Sequence, residues 1–448
     1  MIRRLAAAAV VLAALGLVAG VARAVTSSSS EKKATKATKI TIWVGFLPST
    51  HELKVLKGLI AEYDKKTPGV EVDVVGGIRD AKIIAAIRSG NPPDVVSSFA
   101  SSNVGTFCST GAWIDLGPLM KQSHISPSIF PKASQYYTQY NGVRCALPML
   151  ADDFGLYYNS DLFKKAGITR PPHTFSELTA DAKKLTTKNA DGSLKVVGYD
   201  PASAFYDDQP PKITFYAPLF GAKYTDAQGH SILAKEPGWA RYFRWQKGLI
   251  DYYGWDKLQR FQSGLGQEFS ASNAFETGQL AMMVDGEWRV AFIQNEHPNL
   301  SYATAPMPVD DAHPELYGAG YINGTIIGIP KGVKHKDEAW ALVKYLATNT
   351  HFLAQFSNGI RNVPSTIASS KSPEIKRDKH FSTFLKIFAN KHSATTPITA
   401  VGAGYQDLIQ SFAVKWQAGD VKDLVGGLKN LDKQIDDQLA QAKKGGKP

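Results

Sequence analysis

Three carboxylates stand out as groups able to do chemistry: the neighbours Asp152 and Asp153, and Glu287 far along the chain. Asp152 with Asp153, or Asp152 with Glu287, could imitate the paired acids of a glycosidase. Adjacent residues of an extended segment point apart, so Asp152 and Asp153 cannot flank one bond. Other reactive constellations are missing. There is no G-x-S-x-G elbow, no Walker A loop and no H-E-x-x-H. The ten histidines are dispersed, and no Cys-His spacing suggests a metal. No cofactor is expected, and an enzyme is not the expected class.

The two acids sit just ahead of a joint in the chain. Leu156 to Tyr158 favours a strand, and Ser160 to Ala166 reads as one short helix with an early acid, late lysines and Gly167 as its stop. Pro171-Pro172 ends helix formation, and Thr174 with Glu177 has capping-box spacing for the next helix. Upstream, Ile40, Ile42 and Val44 alternate as a strand that carries Trp43. Ser49 with Glu52 predicts a capped helix whose buried face is Leu53, Leu56, Ile60 and Tyr63. Val70 to Val75 and a strand beginning at Asp94 follow, with a helix around Ile83, Ile84 and Ile87 between them. This alternation predicts an α/β chain with a parallel sheet, whose ligands bind beyond the carboxyl ends of the strands. Gly45 to Ser49 and Ser98 to Asn103 fall there. Further on, Pro237 opens a helix reaching Ile250, Phe269 to Glu276 is a short helix stopped by Gly278, and Leu280 to Val284 is a strand. Gly320 to Pro330 is a glycine-rich strand, and Asp337 to Leu346 an amphipathic helix.

With 448 residues, 44% hydrophobic and 20% charged, the chain has material for two cores. Arg3-Arg4, an apolar run from Leu5 to Ala22 and Ala22-Arg23-Ala24 form an export signal over residues 1–24; an uncleaved anchor is the competing reading. Residues 25–39 are a flexible tether and 441–448 a polar tail. Net charge is +11, or +8 once Arg3, Arg4 and Arg23 leave with the signal. The lysines are scattered and often paired with acids along helices, which argues against nucleic acid as a partner. Cys108 and Cys145 are an even pair in an exported chain and predict a disulfide, with two buried free thiols as the alternative.

The order YYNSDLFKKAGI, PP, TFSEL over 157–178 resembles the signature of the family 1 extracellular solute-binding proteins of ABC importers, the maltose-binding-protein group. Phe275 to Met282 with Asp285-Gly286-Glu287-Trp288 is similar to that family's F-x-x-G-x-x-A-M…G-x-W element. Pro306-Met307-Pro308, Gly324 to Pro330 and Asp337-Glu338-Ala339-Trp340 match later landmarks in order. The resemblance implies a two-lobed periplasmic-binding-protein fold of type II, with lobe I over 40–150 plus 322–360 and lobe II over 155–318 plus 365–440. It implies a monomer that captures a carbohydrate between the lobes and delivers it to a membrane ABC permease. A glycerol phosphate or other polar solute, a secreted glycosidase and a cell-surface adhesive module are the alternatives.

By position, Asp152 matches a ligand-binding glutamate and Trp288 a ring-stacking tryptophan, while Asp153 competes with Asp152 for ligand contact. The loop Ser97 to Asn103 matches a ligand loop but holds serines and a phenylalanine where the family has an aromatic, an acid and an arginine, which leaves Phe99 and Ser101 as candidates. Near Pro397, where the family places a stacking aromatic, this chain offers Tyr405 or an open end. Trp43, Tyr206, Tyr321 and Arg361 complete the set. Each has a plain competitor: Trp288 could be core, and either aspartate a loop acid or a helix cap.

Overall fold

The computed structural model describes residues 37–202 and 213–445. The export signal, nearly all of the tether, the stretch 203–212 and residues 446–448 lie outside the described residues. Ile40, Ile42 and Val44 are fully buried on one side of β1 (Thr38–Trp43) and its continuation, as their alternation predicts. Strand β1 pairs in parallel with β2 (Val70–Val75) and β3 (Val95–Ser98). The helix His51–Lys66 buries Leu53, Leu56, Ile60 and Tyr63, the expected face, in the same core. The expected Ser49–Glu52 box is absent. Thr50 is the residue ahead of the helix, and its hydroxyl donates to the Leu47 carbonyl in a local turn instead of capping.

Strand β11 (Ile326–Gly328) returns from far along the chain and pairs antiparallel with β3 and with β4 (Leu147–Pro148), completing a five-stranded sheet ordered β2-β1-β3-β11-β4. These directions bring the ends of β1 to β4 and the start of β11 to one edge. Only three residues of the expected Gly320 to Pro330 strand lie in this sheet. The rest is connecting chain.

The second sheet is ordered β10-β6-β9-β8-β7, with β6 (Phe154–Asn159), β7 (Thr187–Lys188), β8 (Leu194–Tyr199), β9 (Leu280–Gly286) and β10 (Tyr302–Ala305). Strands β8 and β9 are parallel, while β6 opposes β9 with Phe154 facing Gly286. Thus β6 begins at the edge where β8 and β9 end. A two-stranded ribbon of β5 (Leu150–Ala151) and β12 (Val363–Pro364) lies between, and Asp153 bridges to Ile322 beside it. Three extended segments therefore run together from sheet to sheet, around residues 149–153, 320–325 and 361–364.

The joint has its expected form. Asn159 Oδ1 accepts from the Leu162 amide at 3.0 Å to start the helix Ser160–Lys165, and Thr174 Oγ1 accepts from the Glu177 amide at 3.3 Å to start Phe175–Leu185. Phe269 to Glu276, by contrast, forms turns and no helix. Asn273 Oδ1 accepts the amides of Phe275 at 2.9 Å and Glu276 at 3.4 Å, and so offers the backbone a local alternative to the helical ladder. Among the described residues no helix is long and apolar enough to cross a membrane.

Cys108 and Cys145 are bonded through sulfur with Cα atoms 5.4 Å apart, tying the helix Val104–Ser109 to the segment entering β4. The closed loop is worth about 3–4 kcal/mol in the chain-entropy view. The double substitution Cys108→Ala/Cys145→Ala should lower stability by about that amount while far-ultraviolet circular dichroism stays native, because both sheets keep their cores. A melting temperature unchanged from the parent would contradict this.

Candidate functional site

Both sheet edges face the three connecting segments, and the predicted acids lie at that junction. Glu287 is fully buried. Its Oε2 accepts from the Asp153 amide at 3.0 Å and its Oε1 from the Val363 amide at 3.2 Å, so one carboxylate ties two connecting segments to the end of β9. Asp152 is buried too. Its Oδ1 accepts from Asn362 Nδ2 at 2.8 Å, and Thr325 Oγ1 stands 3.5 Å from its Oδ2. Burial outweighs these bonds and pushes Asp152 up to about 6. No side chain donates to either oxygen of Asp153, and a backbone contact at Phe388 favours its charged form without offsetting burial. Burial, then the Asp152 charge, holds Asp153 well above the carboxylate range, and burial with both aspartate charges does the same to Glu287. Burial and mutual repulsion thus favour the protonated forms of all three acids. Among the described residues no group of three or more His, Cys, Asp or Glu is arranged to hold a metal.

The wall built on the first sheet mixes small polar groups with two partly exposed aromatic rings. Asp80, which opens the helix Asp80–Arg88, accepts at Oδ2 from Ser98 Oγ (2.9 Å) and Asn103 Nδ2 (2.7 Å), and burial raises its pKa against these bonds. Ser101 is buried and donates to Asn323 Oδ1 from the second connecting segment. Trp43 lies half-buried at the end of β1, with Lys82 Nζ 5.2 Å from its ring centre. Phe99 keeps 45% of its surface exposed, with its ring set edge-on against Phe46 at 5.1 Å.

On the other wall, Trp288 is half-buried where β9 turns into the helix Arg289–Glu296. Its ring meets Phe154 edge-on at 5.4 Å, and its Nε1 has no partner. Residue 286 must be glycine for this placement, since a Cβ there would lie 2.2 Å from the indole. Arg289 anchors the turn from below, fully buried between Glu276 (3.0 Å) and Asp285 (2.8 Å). Tyr321 is buried, stacked on Phe215 at 4.2 Å, with its hydroxyl 3.4 Å from Thr396 Oγ1. Arg361 is engaged in a local clamp. It ends the helix Thr350–Ile360 in the left-handed region, and its guanidinium meets the Lys376 carbonyl (2.7 Å) and Asp378 (3.3 Å). Tyr405 is buried, and its hydroxyl donates to the Pro397 carbonyl at 2.9 Å. Tyr206 lies outside the described residues.

Residues 58–383 match the family described as bacterial extracellular solute-binding protein. The chain belongs to that family. This solute-binding protein is 27% identical over 228 residues to a binding protein of Brucella abortus, and there the match spans about half the relative's length, 49%. It is 25% identical over 346 residues to the maltooligosaccharide ABC transporter solute-binding lipoprotein of Streptococcus pneumoniae, covering 74% of each chain. Its fold is similar to that of a binding protein solved with mannotriose, with a TM-score of 0.77, 25% identity and coverage of 88% of this chain and 99% of the other. The architecture is thus the two-lobed, type II periplasmic-binding-protein fold.

Three residues of this solute-binding protein that bear on the site escaped sequence reasoning, Asp80, Asn323 and Asn362, while Asn103 closes the loop expected at the pocket mouth. Each gains its place through a partner distant in sequence or on another element. Only the C-terminal position of the loop after β2 could have pointed to Asp80.

The carboxylate trio makes stability depend on pH. Between about pH 4 and 6, Asp152 is ionised in the unfolded chain and protonated in the folded one, so the folded state loses stability as pH rises through that window. Asp153→Asn replaces a buried acid, to which no side chain donates, by a group that does not ionise. Its melting temperature should exceed the parent's at about pH 7, and the difference should shrink as pH falls and vanish below about pH 3, where the acid is neutral in both states. An equal difference at both pH values would show that ionisation is not the cause.

Proposed function

We propose that the chain is the extracytoplasmic substrate-binding component of an ABC importer, capturing a carbohydrate, specifically an oligosaccharide, between two lobes and presenting it to membrane permease subunits. The observation that carries this reading is that hydroxyl-binding groups and partly exposed aromatic rings come to one junction. Asp80, Ser98 and Asn103, with the rings of Trp43 and Phe99, lie at the ends of the first sheet's strands, and the half-buried indole of Trp288 at the end of β9. A sugar ring has an apolar C–H face and a rim of hydroxyls, so it asks for a flat aromatic surface and for in-plane acceptors. The family supports the solute-binding role, and the relatives whose names carry maltooligosaccharide or mannotriose support the sugar.

Lobe I over 40–150 plus 322–360 and lobe II over 155–318 plus 365–440 follow the two sheets, with the three connecting segments as the hinge. A ligand that touches both walls favours the closed form. Catalysis is not part of this reading. Glu287 spends both oxygens on backbone amides, and Asp152 and Asp153 are sealed beside it. Residues 1–24 direct export, in keeping with an oxidised Cys108–Cys145 pair and a monomer at the cell surface or in a periplasm.

A thermal-shift screen over mono- and oligosaccharides tests the proposal. At least one sugar should raise the melting temperature and saturate by calorimetry without release of reducing ends, and small-angle scattering should report a smaller radius of gyration when loaded. Trp288→Ala should weaken binding of that sugar by about 30-fold to 1,000-fold, the size of a buried aromatic hot spot. If stability instead falls by about 3–5 kcal/mol with affinity unchanged in the folded fraction, Trp288 is core.

A further inference from the structure

Residues 396–403 run between the helices Phe381–Ala389 and Gly404–Ala418, both on the side of the second sheet, and touch the helix Val104–Ser109 on the side of the first. The chain arrives beside the second connecting segment, where the Ala394 amide donates to the Gly320 carbonyl at 3.0 Å and the Ile322 amide to the Ala394 carbonyl at 2.8 Å. The helix Gly404–Ala418 holds it from the far side, through Tyr405 on Pro397 (2.9 Å) and Gln406 Nε2 on Thr396 Oγ1 (3.2 Å). Its middle leans on the side of the first sheet. Thr106 Oγ1 donates to the Ala400 carbonyl at 3.1 Å, and the Ile398 amide points at the Tyr136 hydroxyl at 3.5 Å. A Cβ at Gly105 would stand 1.9 Å from the Thr399 carbonyl oxygen, so backbone meets backbone there with no room for a ligand between. The contact falls on the first turn of the helix Val104–Ser109, next to Asn103, whose amide is bound to Asp80.

We propose that residues 396–403 are a strap that makes the cleft blind at the Tyr136 end, so that the protein takes the terminus of a linear saccharide and rejects rings and mid-chain segments. This rests on the carbohydrate reading above and deepens it. The strap, Thr-Pro-Ile-Thr-Ala-Val-Gly-Ala, carries no charged side chain. It discriminates by exclusion: a chain that must pass the Gly105–Thr399 contact is turned away, while a chain that ends before it is not. Tyr405 is then a positioning residue beneath the strap and does not stack on ligand.

Gly105→Ala is the decisive variant. Alanine suits the helix that holds it, but its methyl must displace the strap. Thr106→Val, which removes the bond to Ala400, is the milder second variant. Calorimetry would compare maltotriose and mannotriose with the ring cyclomaltohexaose, and hydrogen exchange would follow the strap amides. The parent should protect those amides and favour the linear sugar by at least about 100-fold; release of the strap in either variant should narrow that ratio by at least about tenfold. A parent that binds the ring as tightly as the trisaccharide overturns the strap proposal alone, as does an unchanged ratio once exchange shows the strap released. If no sugar of the wider screen binds the parent, the carbohydrate reading falls and this proposal with it.

Discussion

The buried carboxylate of Glu287 is the constraint on which the rest of the site depends. It accepts the amides of Asp153 and Val363, and so joins two of the three connecting segments to the end of β9. Burying an acid is expensive unless hydrogen bonds compensate it, and here the backbone supplies both. Once that tie exists, the neighbouring acids are held in place whether or not their own environment favours them. Asp152 finds Asn362 and Thr325, while Asp153 finds no side-chain donor at all. A cluster of this kind concentrates unfavourable electrostatics where the connecting segments meet. Conformational equilibria at such a point are sensitive to small changes in charge and contact.

From this base the two walls rise for a structural reason. The first sheet delivers the ends of three parallel strands, and Asp80 after β2 bonds to Ser98 and Asn103 at the end of β3. The second sheet delivers the end of β9, where a single glycine lets the indole of Trp288 fold back over the backbone. The buried Arg289, between Glu276 and Asp285, fixes that turn from the core side. Polar groups and aromatic rings brought to one junction suit a solute with both a hydroxylated rim and an apolar face.

Much of the architecture is legible in the chain because it is local. The alternation Ile40, Ile42, Val44, the helix face Leu53, Leu56, Ile60, Tyr63, and the caps at Asn159 and Thr174 depend on neighbours within a few residues, and all appear as such. Local reasoning fails where a side chain redirects the backbone. Asn273 turns an apparent helix into turns, and Thr50 spends its hydroxyl on Leu47 instead of on a cap. The strand read from Gly320 to Pro330 was shortened for another reason. Its first half pairs with the connecting segments, through Ile322 and Asn323, and not with a sheet.

By itself, then, the sequence determined the strand and helix periodicities, the presence of the joint, the cysteine pair and, through ordered motifs, the family. Tertiary structure alone decided what the candidate residues do. Arg361 and Tyr405 look like ligand groups by type, yet each is consumed by partners that folding brings close, Asp378 and the Lys376 carbonyl for one, the Pro397 carbonyl for the other. Asp80 looks like an ordinary early-helix acid until Ser98 and Asn103 arrive from another strand end. The physical reason is common to all of them. Residue type sets which hydrogen bonds a side chain can make, but burial and the nearest partner set which it does make, and both arise from pairings between segments far apart in the chain.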